Sequence, residues 1–105
     1  MEALLLPKSW NVDQILDDLD QHGFTIIDHA YSAEYGLQLV AECTSNLNRF
    51  REAAIQNGVI SNIRSDHILW INEELTIAQQ HIDALKQLSQ ILNYSFYLGI
   101  QDVEA

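Results

Sequence analysis

The chain has 105 residues, 48% of them hydrophobic, with 15 acidic against 5 basic side chains and a formal net charge of −10. That is the length of one small domain, residues 1–105, with enough apolar content for a core. The acidic balance argues against a nucleic-acid partner, which would need clustered Lys and Arg, and against docking on an anionic membrane.

Cys43 is the single cysteine, so no internal disulfide is possible. The run Ala3 to Leu6 is too short for a signal-peptide core, and nothing approaches a membrane-spanning length. The expected compartment is the cytoplasm.

The first helix is signalled by Asn11 as N-cap, with Gln14 three residues on to complete a capping box and Trp10 and Ile15 placed for a hydrophobic staple. Val12, Ile15, Leu16 and Leu19 share one face, and Asp13, Asp17, Asp18 and Asp20 supply the wet side. Gly23 reads as the stop, because glycine takes the left-handed conformation cheaply. Phe24 to Ile27 is a short apolar run and reads as a buried strand. Ser32 can cap a second helix, whose apolar positions Leu37, Val40, Ala41, Thr44 and Leu47 recur at helical spacing. Cys43 falls at the edge of that face and reads as a packed thiol.

Helical periodicity lapses over residues 49 to 63, and Asn57-Gly58 is a turn signal. A hairpin or long loop is expected there, closing with a strand around Ile68 to Ile71. Asn72 then caps a third helix, with Glu73 and Glu74 at its positive end. Leu75, Ala78, Ile82, Leu85, Leu88 and Leu92 form its buried stripe. Tyr94 to Ile100 is aromatic and β-branched again, and a final strand is expected near Asp102. The fold class read from this order is α+β, three helices packed on one face of a small, mostly antiparallel sheet.

Ile63-Arg64-Ser65-Asp66-His67-Ile68-Leu69-Trp70, with the pattern Ile-Arg-x-Asp-x-Ile-x-Trp, resembles a segment of the prolyl 4-hydroxylase-like iron(II) and 2-oxoglutarate-dependent dioxygenases. Gly23 to Ser32 looks like that family's first strand, and Phe50 to Ile55 like the stretch before its mobile loop. Leu92-Asn93, Leu98-Gly99 and Asp102 to Ala105 resemble the strand entry ahead of its catalytic core. The resemblance covers about residues 12 to 105. It implies the N-terminal part of a double-stranded β-helix, or jelly roll. The complete family fold hydroxylates peptidyl side chains with Fe(II), oxygen and 2-oxoglutarate, so it also implies a protein or peptide substrate.

The resemblance further implies that Arg64, Asp66 and Trp70 line the mouth of an active site, with Arg64 the ionic partner of Asp66. Residues two and four apart on a strand do share a face. An edge-strand salt bridge beside a core tryptophan accounts for the same residues without a site. The family holds iron with a His-x-Asp pair and a distant His. Here His81-Ile82-Asp83 has that spacing, but it falls in the third helix, where residues two apart diverge by about 200°. It reads as two solvated residues, and His22, His29 and His67 show no metal-ligand spacing either. The metal-binding half is expected to lie outside this chain, which leaves it without catalytic residues, metal ligands or cofactor of its own.

Two functions follow. One is the N-terminal region of such a dioxygenase, inactive alone. The other is a non-catalytic interaction or self-association module, a homodimer or a complement to another chain, with Phe96 or Tyr97 near the interface centre. The first test is anaerobic titration with iron(II), with 2-oxoglutarate followed by calorimetry. No stoichiometric site is expected, and one of micromolar affinity would contradict the reading.

Overall fold

The computed structural model describes residues 6–52, 54–55, 58–59 and 66–105. Along the chain lie α1 (Val12–His22), α2 (Ala33–Ser45), a 3-10 turn (Leu47–Arg49), β1 (Arg51–Glu52), β2 (Ala54–Ile55), β3 (Gly58–Val59), β4 (His67–Ile68) and α3 (Thr76–Phe96).

Local signals build α1. The Asn11 side chain accepts from Gln14 N–H at 3.1 Å, and Gly23 closes the helix in the left-handed region at φ 78. Gln14 departs from a capping box, because its amide reaches forward to Asp18 at 2.7 Å. Trp10 and Ile15 are both buried. They meet Ala84 of α3 to form the core, and Leu19, Ile27, Ala30, Tyr31, Leu85 and Leu88 pack around it. The Trp10 indole N–H donates to the Ala30 carbonyl at 2.9 Å, so this ring enters the core without an unpaired donor.

Ser32 caps α2 by accepting from Tyr35 N–H at 3.1 Å. The face that α2 turns inward is not the apolar stripe. Leu37 and Val40 are 72% and 63% exposed, and Ala41, Thr44 and Leu47 are exposed as well. Tyr35 is buried instead, and Leu39, Glu42 and Asn46 are half-buried behind it. These positions also recur at helical spacing, rotated from the expected stripe.

The reason lies at the start of α3. Asn72 does not cap that helix; its carboxamide oxygen closes a turn by accepting from Glu74 N–H at 2.9 Å. Leu75 precedes the helix and offers no side-chain cap. The cap comes from α2, where the Glu42 carboxylate accepts from Ile77 N–H at 2.8 Å and Ala78 N–H at 2.9 Å. Tyr35 donates to the Ile77 carbonyl at 2.6 Å. Polar residues therefore take the inner face of α2: Glu42 satisfies two orphan amides of α3, and Tyr35 adds a bond to a carbonyl in the same turn.

The α+β expectation is overturned. The molecule is mostly helical, and the strands form two separate antiparallel pairs of two residues each, β1 with β4 and β2 with β3. No small sheet underlies the helices among the described residues. Phe24 to Ile27 has no strand beside it among the described residues and is not a strand. Thr25 and Ile27 turn inward, while Ile26 is 76% exposed. The strand expected at Ile68 to Ile71 is confined to His67–Ile68. The β2–β3 register, Ala54 opposite Val59 and Ile55 opposite Gly58, is that of a hairpin, and Asn57 lies outside the described residues.

α3 extends through Phe96, into the segment read as aromatic and β-branched, and no strand begins near Asp102. Tyr97 ends the helix in the left-handed region at φ 56. The Asn93 amide then holds Ile100 at both backbone groups, 2.8 Å to its carbonyl and 2.9 Å from its N–H.

Substitutions at two positions test this packing. Glu42→Ala should cost about 2 kcal/mol, because two helix-terminal amides lose a charged acceptor, and Glu42→Gln should cost less. Leu85→Ala, at a half-buried core position, should cost about 2 kcal/mol. Urea denaturation reads both; an unchanged midpoint in Glu42→Ala would mean that the carboxylate does not hold α3.

Candidate functional site

The described residue pattern is richest chemically where the turn before α2 meets the first turns of α3. Tyr31 and Tyr35 are one helical turn apart, and their rings stack with centroids 4.5 Å apart. The Tyr31 hydroxyl and His81 Nδ1 share a hydrogen bond of 2.6 Å, and Trp10 packs against Tyr31 at 5.7 Å. His81 is thus half-buried against a phenol rather than solvated, as its place in an amphipathic helix had suggested. Asp83 turns elsewhere and accepts from the Gln79 amide at 3.2 Å.

Burial sets the protonation of this cluster. It pushes the Tyr31 phenol from 10.0 up to about 12, with Tyr35 adding to the shift. It also raises Tyr35, and it lowers His81 below 6.5. At neutral pH the cluster is uncharged: two phenols and one neutral imidazole.

A cavity of about 600 Å³ opens beside the tyrosines. Lys8 and Ser9 line one side, His29 and Ser32 the entrance to α2, and Gln80 the α3 side. Ser9 is held by its bond to the Ala30 carbonyl at 2.8 Å. His29 adopts φ 51, a left-handed backbone that non-glycine residues rarely take.

Of the residues singled out from sequence, Asp66, Trp70, Phe96 and Tyr97 do not line this cavity. Arg64 lies outside the described residues. Asp66 is exposed just before β4 and engages a partner. Trp70 is exposed and lines a different cavity of about 520 Å³, with Lys86, Asp102 and Glu104. There Ile71 N–H donates to the Ala105 carbonyl at 2.9 Å. Phe96 is half-buried, whereas Tyr97 is 95% exposed and Tyr94 88% exposed. Cys43 is exposed rather than packed, at the rim of a small apolar cavity with Leu39, Phe50 and Leu75.

Among the described residues, no three His, Cys, Asp or Glu side chains converge as metal ligands, and no helix is long and apolar enough to cross a membrane. Comparison with protein-family models, curated proteins and solved structures finds no match to this chain.

The Tyr31–His81 cluster was not found from sequence. Its signal was the Tyr31–Tyr35 spacing, but nothing local to His81 marks it as their partner.

The cluster predicts a stability plateau with two edges. His81 has a depressed pKa in the fold, so its contribution is present above 6.5 and is lost as the pH falls below that value. Tyr31 has a raised pKa, so its contribution is present below 10 and is lost as the pH rises towards about 12. Denaturation midpoints should fall on both sides; His81→Gln should flatten the acid edge and Tyr31→Phe the alkaline one. Unaltered edges in both variants would contradict this placement of the cluster.

Proposed function

We propose that the chain is a non-catalytic protein-interaction module that self-associates through the C-terminal end of α3. The observation that carries this reading is the near-complete exposure of Tyr94 and Tyr97, with Leu98 and Ile100 exposed beside them. Soluble surfaces seldom gather such side chains without a partner.

Charge favours a second copy as that partner. Two chains of net charge −10 repel, yet no charged residue occurs from Gln87 to Gln101. Copies meeting through this stretch bring no charged side chain of the stretch itself to the contact. The surface is also set before association, because Tyr97 fixes the helix end and Asn93 holds Ile100 in place. Aromatic residues bury roughly 150–250 Å² each, so two tyrosines per copy supply on the order of 800 Å² in a twofold contact. Leu98 and Ile100 bring this towards the low end of specific interfaces, the size class of weak, reversible association.

The dioxygenase reading draws its support from the sequence pattern around Ile63 to Trp70, whereas the interaction reading draws on the surface itself. A cytoplasmic setting accords with the single exposed thiol of Cys43.

Sedimentation equilibrium at moderate salt tests the proposal. A concentration-dependent dimer is expected, abolished by Tyr94→Gln with Tyr97→Asn; asparagine tolerates the left-handed backbone at that position. A monomer at millimolar concentration, or a dimer that the double variant leaves intact, would contradict it.

A further inference from the structure

We infer that the cavity beside Tyr31 and Tyr35 binds a small anion with a planar apolar body, of the aromatic carboxylate class. The site is separate from the self-association surface: Gln80 and Tyr94 are 14 positions apart on α3, about 20 Å along its axis.

Charge is the first argument. The chain carries 15 acidic residues against 5 basic, yet no carboxylate lines this cavity, and Lys8 does. Three other cavities among the described residues each contain carboxylates: Glu42 in one, Asp28 in another, and Glu73, Asp102 and Glu104 in the third. In so acidic a molecule, a cavity lined by cationic and neutral groups alone selects anions. The N-terminal end of α2, at Ser32 and Ala33, opens into the same space and adds its positive field.

Shape and rigidity are the second argument. A volume of about 600 Å³ falls within the range of small-ligand sites. Its lining includes two tyrosine rings held by their hydroxyls, Tyr35 by the Ile77 carbonyl and Tyr31 by His81. Those hydroxyls are engaged, so the rings offer apolar surface, which suits a flat hydrocarbon body. The side chains of Lys8, His29 and Gln80 make no hydrogen bond or ion pair with described residues, which leaves them available to a ligand. His29 is held at the mouth in a strained backbone conformation, a feature that clusters at ligand sites.

The test is an amide-resolved NMR titration with benzoate, benzamide and inorganic phosphate, run in parallel on the full chain. Benzoate should give saturable shifts at the amides of Ser9, His29, Ser32 and Tyr35. Benzamide, which lacks the charge, should bind about fivefold more weakly, the size of one exposed ion pair, and phosphate, which lacks the ring and its apolar burial, should bind more weakly by at least that factor. Lys8→Gln should weaken benzoate by about the same factor. Gln80→Glu, which sets a carboxylate at the mouth, should weaken it further, by about tenfold. Both variants alter exposed side chains, so their urea midpoints should match the parent. Benzamide binding as tightly as benzoate would overturn the anion selectivity, and phosphate doing so would overturn the aromatic class. Absence of saturation, or equal affinity in both variants, would overturn the site itself.

Discussion

The Glu42 carboxylate on the first turn of α3 is the contact on which the arrangement of helices depends. A helix start leaves its first amides without internal partners. In α1 and α2 the preceding residue satisfies one of them locally, Asn11 to Gln14 N–H and Ser32 to Tyr35 N–H. At α3 the acceptor comes from 35 residues away in the chain, and a carboxylate fills the place of a local cap. Such an acceptor is stronger than a neutral one, because the helix end is itself partly positive. Tyr35, on the same face of α2, takes the carbonyl of the same residue, Ile77, whose N–H Glu42 holds. Both backbone groups of one residue are therefore bound by one helix, which sets the height and rotation of α3 against α2 together.

That fixed position determines what the rest of α3 can reach. One turn on from Ile77, His81 arrives beside Tyr31, and their hydrogen bond ties α3 to the turn before α2. A turn beyond, Ala84 closes on Trp10 and Ile15, so α1 joins the same core. Gln80 is carried to the rim of the cavity that the tyrosines line. The last turns of α3 run past this framework, and Tyr94 and Tyr97 are left in solvent. Cavity and exposed end thus follow from one docking geometry: the helix is gripped near its start and is longer than the partners that grip it.

How much of this could be read from sequence depended on how local the deciding interaction was. The ends of α1 were legible because Asn11 and Gly23 act within one turn of themselves. The stripe of α3 was legible from Leu75 through Leu92, since apolar residues on that face are buried or half-buried throughout. α2 was misread because two sets of residues recur at helical spacing, and the apolar set lost. Glu42 and Tyr35 turn inward for partners on another helix, which no periodicity reveals. Phe24 to Ile27 was misread as strand because an apolar run says nothing about whether a neighbouring strand exists to complete its ladder. The same limit hid the candidate site: Tyr31 and Tyr35 announce an aromatic pair, but His81 joins them only once Glu42 has set the rotation of α3.

The most direct measurement of this account is amide hydrogen exchange at Ile77 and Ala78. First-turn helix amides ordinarily exchange fast, having no acceptor. Here both should be protected to a degree comparable with interior positions of α3, and Glu42→Ala should release these two while leaving the middle of the helix slow. Fast exchange at both amides in the unaltered protein would contradict the account, because α3 would then be placed by something other than the Glu42 carboxylate.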